Sequence, residues 1–579
     1  MKILGINMLH PDASACLVID GVVVRAIAEE RLGQRIKHAS GYPVEAIKWV
    51  LNVENIDLGD LDYIAISHNP KANILKKFSN LILDPAKGFS KLTNFSSKVS
   101  RGGEFLDFLH ENINYTDKFS GEVVKVEHHI AHAASAYLMD GSCRPKLSYT
   151  YDGSGDFVSV MVAHCDENGI HPIVKSYVPN SFGFFYTSLC QFIGFTNFGE
   201  EYKVMGLAPY GNPLYLDQMQ EIITLSSKKM PALNDYYFDF KNGLMNTSVS
   251  DKISIGTLYS DNIYELFDLE REQLKKNSQL SMDIARSTQA HFERTVCASV
   301  GYYMEETGFK DIAMAGGCAL NGVTNALIER TLKPNSVTLQ PAASDDGTAI
   351  GAALYCARYI CGKKLPQYPM PTVYLGGEFS KKDILNELKR PTVEFLEFVD
   401  EDELFGSAAV DLEAGHVVGW FQGRSEFGPR ALGNRSILAS PLVKNMKEII
   451  NKKIKKRESF RPFAPSVLKE NMKDYFSQDI DSPYMMHVIK FAEGYHDRFP
   501  AVTHADLTGR VQTVSEIMNP KYYKLISKFK ELTGFGILLN TSFNENEPIV
   551  ETPSQAIDCF LRTDMDSIYI NNFKITKKI

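Results

Sequence analysis

Several things are missing from this 579-residue chain. None of its nine cysteines forms a CxxC pair, which fits a reducing compartment better than a disulfide framework. No apolar run reaches the ~18–20 residues that cross a bilayer, so no membrane partner is expected. Basic charge is not in excess: 62 Lys and Arg stand against 70 Asp and Glu, a net charge of −8. General attraction to nucleic acid or anionic lipid is therefore not expected. Met1-Lys2-Ile3-Leu4-Gly5 enters a strand pattern without the charged lead, apolar stretch and cleavage site of a targeting segment. A cytoplasmic protein is the expectation. Hydrophobic residues at 44% and charged residues at 23% exclude a disordered, collagen-like or coiled-coil chain. At ~100–200 residues per domain, the length predicts several domains.

What is present begins with strand signals. Lys2–Asn7, Ala15–Ile19 and Val22–Ala28 read as three strands, the last two joined by Asp20-Gly21, a hairpin turn. The pattern returns in Leu147–Tyr151, the acidic turn Asp152-Gly153-Ser154-Gly155-Asp156, then Phe157–His164 and Ile170–Tyr177. Two such copies suggest a duplicated α/β fold; two unrelated hairpins are the alternative. A helix over Met282–Thr307 leads to a strand at Asp311–Ala315, and Gly316-Gly317 then opens another helix. After a strand at Val337–Leu339, Ser344-Asp345-Asp346-Gly347 precedes an apolar helix at Ala349–Ile360. Glycines at strand–helix junctions let backbone N–H groups approach phosphate or ribose. The proline-containing stretch Gly362–Gly377 reads as a boundary, which divides the chain into domains at 1–365 and 371–579. Beyond it come a helix at Glu403–Ala414 and strands at Val417–Phe421 and Phe535–Leu539. Residues ~78–120 and ~225–280 have weak patterns and read as insertions or helical subdomains.

Three histidines lie in Glu127-His128-His129-Ile130-Ala131-His132, in an Ala-rich helical context. His128 and His132 share a helical face at i and i+4, a spacing that suits two imidazoles on one metal ion; His129 points elsewhere. Asp152 and Asp345 in the acidic turns are the candidate further ligands. This mixed N/O set suits Fe²⁺, Mn²⁺ or Zn²⁺. A solvated or core histidine cluster is the competing reading. Lys203 could neutralise a phosphate or form a surface salt bridge.

The second domain carries Arg424, Arg430 and Arg435 among glycines, and then Lys456, Arg457, Arg461 and Arg510. Within it, Lys444–Arg461 holds eight Lys/Arg against two Glu. Arginine forks grip phosphate and carboxylate oxygens in pairs, so this convergence implies a small polyanion. Phe460 and Phe463 read as packing residues rather than as stacking platforms for nucleic-acid bases.

Taken in order, the motifs HHIAHAASAY, YDGSGD, KVMGLAPYG, GGCALN, SDDGTAIGAA, GRSEFGPRALGNRS, FRPFAPSVL, THAD, RVQTV and LLNTSFN resemble those of the NodU/CmcH family of O-carbamoyltransferases. They run over nearly the whole chain. The resemblance implies a duplicated actin/Hsp70-like (Kae1-like) ATPase fold followed by a YrdC-like α/β domain. It also implies an enzyme that forms carbamoyl-adenylate from carbamoyl phosphate and ATP and passes the carbamoyl group to a hydroxylated small-molecule acceptor. Fe²⁺ or another divalent transition metal is implied at His128, His132, Asp152 and Asp345, with Mg²⁺ accompanying the nucleotide. Candidate nucleotide contacts are Gly153, Lys203, Gly316, Gly317, Asn321, Asp346 and Gly347. Candidate carbamoyl-phosphate contacts are the cations named above together with Asn540, Ser542 and Asn544. His10 and Asp12 are the acceptor-site candidates, and a homodimer is compatible with the reading.

Two positions depart from the family pattern. Pro11 stands where a histidine usually precedes the aspartate, and Asn546 where a glycine usually precedes Glu547-Pro548-Ile549-Val550. Asn tolerates the left-handed turn that glycine would make. A tRNA threonylcarbamoyl-modifying enzyme and a nonenzymatic actin-like scaffold are the competing classes. The lack of a broad basic surface argues against the first, and the arginine set against the second.

Overall fold

The computed structural model describes residues 1–74, 76–77, 105–113, 118–240, 246–247 and 253–578. Of the two weakly patterned segments, residues 78–104, 114–117, 241–245 and 248–252 lie outside the described residues. The chain folds as two compact units. One comprises Met1–Val204, Gly211–Leu320 and Ile328–Pro371; the other comprises Met205–Tyr210, Asn321–Leu327 and Thr372–Ile579.

The first unit holds two five-stranded sheets. In one, β1 (Lys2–Asn7), β2 (Ser14–Ile19) and β3 (Val22–Ala28) form antiparallel hairpins, and β4 (Tyr63–Ile66) and β5 (Glu122–Lys125) add parallel to β1, in the order β3-β2-β1-β4-β5. In the other, β6 (Lys146–Gly155), β7 (Val158–Asp166) and β8 (Gly169–Tyr177) are antiparallel, and β9 (Asp311–Ala315) and β10 (Ser336–Leu339) add parallel to β6, in the order β8-β7-β6-β9-β10. The same order and the same directions recur. Unrelated hairpins would not both gain two parallel strands on the same side, so the expected duplication is present as topology.

The two hairpin turns differ in their chemistry. Asp20 and Gly21 both adopt positive φ, 51° and 84°, as a two-residue turn matched to strand twist requires. In the second copy the sequence pattern suggested a turn across Asp152–Asp156. Instead β6 runs on through a register shift to Gly155, and the tight turn is Asp156-Phe157, at φ 46° and 76°. Neither residue is glycine. The Asp156 carboxylate supports this conformation by accepting from the Asn69 and His128 amides.

Four helices matter to the site. Helix α1 (Val44–Val53) buries Ala46, Ile47, Val50 and Leu51 against the first sheet. Helix α2 (His128–Tyr137) starts where Glu127 accepts from the Ile130 amide, an N-cap. Helix α3 (Gln279–Thr307) is capped by Ser278 and stopped by Gly308 in the left-handed region. Helix α4 (Thr348–Tyr355) buries nearly every side chain it has, and most of them are small. A Cβ on Gly351 would lie 1.8 Å from the Ala131 carbonyl oxygen of α2, and one on Gly5 of β1 would lie 2.2 Å from the Ala349 carbonyl oxygen. Backbones touch at both places, so only glycine fits.

The second unit is built on a nine-stranded mixed sheet. Its strands are β11 (Val393–Glu397), β12 (Val418–Phe421), β13 (Arg435–Ala439), β14 (Ala464–Leu468), β15 (His487–Lys490), β16 (Thr508–Val514), β17 (Ile537–Ser542), β18 (Ser567–Ile570) and β19 (Phe573–Lys577), in the order β11-β19-β18-β12-β13-β17-β14-β16-β15. Side chains alternate across it. Trp420, Leu438 and Leu538 pack with helices α5 (Glu401–Glu413) and α6 (Pro520–Thr533), while Phe421, Ile437 and Leu539 pack with α7 (Pro553–Arg562). The strand expected at Phe535–Leu539 continues through Ser542, which puts Asn540 and Ser542 on the sheet rather than in a loop. Among the described residues, no helix is long and apolar enough to cross a membrane.

Gly351→Ala should force α2 and α4 apart and cost ~1–3 kcal/mol of stability, the range for overpacked cores. A lowered urea midpoint with an unchanged m-value is the expected measurement.

Candidate functional site

The close helix crossing brings four donor groups together. His128 and His132 project from α2, Asp152 from β6, and Asp345 from the one-turn segment that leads into α4. One ligand atom from each lies within 4.8 Å of the others. The two Nε2 atoms are 3.0 Å apart. His128 Nε2 lies 3.6 Å from Asp152 Oδ2 and 3.3 Å from Asp345 Oδ1; His132 Nε2 lies 3.3 Å and 3.4 Å from the same oxygens. Ligands at ~2.1 Å from a central ion stand ~3.0–3.4 Å apart on the edges of an octahedron or tetrahedron. The donor set therefore fits a first-row transition ion in both chemistry and spacing.

Neighbouring groups aim these donors. Asp152 Oδ1 accepts from the Gly153 and Gly317 amides, leaving Oδ2 turned to the histidines. A Cβ on Gly155 would come within 2.0 Å of the His128 ring, so glycine there admits the imidazole. Burial works against charge on Asp345, but His128, His10 and His132 more than offset it and hold its pKa well below the usual carboxylate range. His129, as expected from the helical wheel, is apart from the set. It meets Thr150 Oγ1 at 2.8 Å and the Val158 carbonyl at 3.1 Å, and burial lowers its pKa well below the ordinary value.

His10 and Asp12 have different surroundings. The His10 ring stacks on His128 at 4.9 Å, and its Nδ1 lies 3.5 Å from Asp345 Oδ2, so it joins the donor cluster. Asp12 accepts at Oδ1 from His38 Nδ1, 2.7 Å away, and at Oδ2 from the Ser344 hydroxyl, also 2.7 Å away. His38 was not a sequence candidate. Neither was His68, whose Nδ1 lies 2.6 Å from Asp156 Oδ1. Each is an isolated histidine with no motif spacing, and nothing local marks it.

The candidate nucleotide contacts divide. Gly316 and Gly317 pack against β6 and Asp152; a Cβ on Gly316 would lie 2.1 Å from the Tyr151 carbonyl. Gly347 packs on the Ala342 carbonyl. Asp346 is buried and, with Asp12 and Glu30 nearby, its pKa is pushed well above the usual range. Lys203 pairs with Glu200 at 2.6 Å. Asn321 accepts at Oδ1 from the amide and hydroxyl of Thr324, in the first turn of helix Gly322–Leu332.

In the second unit the cations also divide. Arg435 is fully buried. Its guanidinium donates to the carbonyls of Gln422, Asn434, Gly377 and Gly423 and lies 3.5 Å over the Phe421 ring, which is a structural use. Arg424 lies near Glu378 and Lys456 pairs with Glu545. Asn540 Nδ2 donates to Ala431, Ser466 and Gln512 inside the sheet. The remaining arginines converge. Burial, then Arg430, Arg457 and Arg461, drive the Arg510 pKa well below its ordinary value. Among the described residues the buried Arg510 Nε has no hydrogen-bond partner. Sequence reasoning also missed Lys455, one lysine in a lysine-rich run. Burial singles it out, and its Nζ donates to Asn544 Oδ1 at 2.6 Å and to the Ser542 carbonyl at 2.6 Å.

The His38–Asp12 pair carries a pH signature. Burial disfavours the imidazolium, yet Asp12, Glu30 and Glu201 raise the His38 pKa from 6.5 to about 9. A raised folded-state pKa stabilises the fold fully below the unfolded value and loses that contribution as pH rises through the folded one. The stability gap between wild type and Asp12→Asn should therefore be widest near pH 6 and shrink from about pH 7 to 9, measured by thermal unfolding across that range.

Known proteins place the chain. The family model described as Carbamoyltransferase N-terminus matches residues 2–354, and that described as Carbamoyltransferase C-terminus matches residues 409–577. Nodulation protein NolNO of Sinorhizobium fredii is 34% identical over 99% of this chain and 80% of its own length. The 3'-hydroxymethylcephem-O-carbamoyltransferase of Amycolatopsis lactamdurans is 37% identical over 40% of this chain and 42% of its own. A distant solved structure, component A of the (R)-2-hydroxyglutaryl-CoA dehydratase of Acidaminococcus fermentans, has a TM-score of 0.32 at 15% identity, covering 61% of this chain and 97% of that one. With both family models matched in order, and the NodU/CmcH resemblance borne out, the chain belongs to the carbamoyltransferase family and is a transferase.

Proposed function

We propose that this carbamoyltransferase forms carbamoyl-adenylate from carbamoyl phosphate and ATP in its second unit and transfers the carbamoyl group, in its first, to a hydroxyl of a small molecule. The observation that carries the reading is Arg510, half-buried with its Nε enclosed and unbonded among the described residues, where the charges of Arg430, Arg457 and Arg461 press its pKa down. Like charges crowded out of water are costly, and a bound dianion such as carbamoyl phosphate offsets that cost. Lys455, Ser542 and Asn544 bond to one another, so their donors, like those of Arg435, are used within the fold. Arg435 is left out of this contact set because its donors hold the backbone.

The chemistry balances in two steps. Water cleaves carbamoyl phosphate to carbamate and phosphate; a carbamate oxygen then attacks the α-phosphorus of ATP and displaces pyrophosphate. The cationic cluster holds the donor and stabilises the charge that moves onto phosphate oxygens. In the first unit His128, His132, Asp152 and Asp345 would hold Fe²⁺ or another divalent transition ion, which supplies Lewis-acid charge for a carbonyl or phosphate oxygen. The glycine junctions at Gly153, Gly316, Gly317 and Gly347, with Mg²⁺ accompanying the nucleotide, are the proposed adenylate contacts. The hydroxyl acceptor is supported by the cephem relative, whose name specifies O-carbamoylation of a hydroxymethyl group.

Two outcomes follow. Arg510→Ala should raise the carbamoyl-phosphate concentration needed for half-maximal ATP–pyrophosphate exchange ten- to a hundredfold, as expected for ~1.5–3 kcal/mol lost with a buried charged contact. An unchanged requirement moves the donor site elsewhere. Elemental analysis of wild-type protein should find a transition metal equimolar with the chain, and His128→Ala/His132→Ala should lack it while still supporting pyrophosphate exchange.

A further inference from the structure

We propose that Cys356 and Cys361 form a reversible thiol–disulfide site at the end of helix α4, closed by a hydroperoxide and reopened by a small thiol. Their sulfur atoms stand 4.0 Å apart, and both thiols are free. The site goes beyond the carbamoyl-transfer reading and does not depend on it.

Five positions separate the two residues. In an α-helix that spacing sets side chains roughly 140° apart around the axis. A wider turn removes the offset. After Tyr355 the helix loosens over Cys356–Ile360, and the Cys361 amide donates to the Cys356 carbonyl at 2.9 Å, a bond that spans five residues instead of four. Residue 361 is thereby stacked over residue 356. Contacts from both sheets of the first unit hold this turn. Tyr359 OH donates to the Asp166 carbonyl at 2.8 Å and Arg358 to the Glu167 carbonyl at 2.7 Å, both at the end of β7. On the other side Lys363 Nζ donates to Asp20 of the first hairpin at 3.0 Å, while its amide donates to the Ala357 carbonyl at 2.9 Å.

The two thiols differ. Cys356 is fully buried, and burial pushes its pKa up, so it stays protonated. Cys361 is half-buried, and the Tyr63 hydroxyl of β4 hydrogen-bonds to it, an interaction that favours the thiolate. A sulfur that a small oxidant can reach, with a second sulfur beside it, is the arrangement in which a sulfenic acid is captured as a disulfide.

The chemistry balances with hydrogen peroxide as the oxidant. The Cys361 thiolate attacks one peroxide oxygen and the O–O bond breaks. Hydroxide leaves and takes up the proton that Cys361 gave to solvent. Cys356 sulfur then attacks the sulfenic sulfur; the S–S bond forms, the S–O bond breaks, and the departing hydroxide takes the Cys356 proton. Two thiols and one peroxide become one disulfide and two waters. The new bond pins the end of α4, the helix that Asp345 leads into.

The test treats full-length protein with hydrogen peroxide, alkylates the remaining thiols and digests with trypsin. Cleavage after Arg358 puts Cys356 on the peptide of residues 331–358 and Cys361 on the peptide that begins at Tyr359. Peroxide should link these two peptides, with loss of alkylation at both cysteines, and excess glutathione added before alkylation should part them. In Cys356→Ala the reaction should stop at a sulfenic acid on Cys361, which dimedone traps. In oxidised wild type the Cys361 and Lys363 amides should exchange hydrogen ~10-fold or more slowly than in reduced protein, because the turn they close can no longer open freely. Peptides that stay separate in peroxide, a link that survives excess glutathione, a Cys356→Ala variant without a dimedone adduct on Cys361, or unchanged amide exchange on oxidation overturns the proposal.

Discussion

The first unit depends on one close approach. Helices α2 and α4 meet with the Gly351 position against the Ala131 carbonyl, and α4 lies equally close to β1 at Gly5. Small side chains make this contact, and larger ones would push the backbones apart. The consequence is chemical. His128 and His132 ride on one partner and Asp345 leads directly into the other, so the helix separation sets the separation of their ligand atoms. A shift of ~1 Å would take nitrogen–oxygen edges of ~3.4 Å outside what one transition ion can bridge.

Duplication gives this arrangement its direction. Each five-stranded sheet offers a turn after its first strand, and each turn carries an acid: Asp12 after β1 and Asp156 after the extended β6. They have diverged in use. Asp156 is locked into the fold by the Asn69 and His128 amides and by His68, while Asp12 holds His38 and Ser344 at a partly exposed position. Equivalent places in two copies thus hold different partners, a division that polarity alone would not distinguish.

The second unit handles charge in the opposite sense. Its arginines are not interchangeable, though the sequence presents them as one set. Arg435 is spent on four carbonyls and a phenyl ring, which fixes the Gln422–Asn434 loop. Arg510 is instead crowded by its own kind. The first arrangement needs no ligand and the second invites an anion. Arginine serves both because its planar fork bonds equally well to peptide carbonyls and to phosphate oxygens.

The sequence by itself determined the local periods: the first three strands, the i, i+4 histidine face, the strand at Asp311–Ala315 and the small-residue helix after Asp345 all follow from side-chain alternation, spacing and turn chemistry. It also marked His128, His132, Asp152 and Asp345 as one group, because two acidic turns and one histidine face recur in a duplicated pattern. Only the tertiary structure decided what lies beyond local range. The turn in the second copy fell at Asp156-Phe157 because distant amides from Asn69 and His128 stabilise left-handed residues that propensity disfavours. His38 joined Asp12 across 26 positions with no periodic signal to link them. Lys455 rather than its neighbours became the buried cation because only its side chain reaches Ser542 and Asn544 on a far strand and its turn. Periodicity reports which face a residue occupies, whereas partners drawn from remote segments depend on how those faces are brought together, which no local pattern encodes.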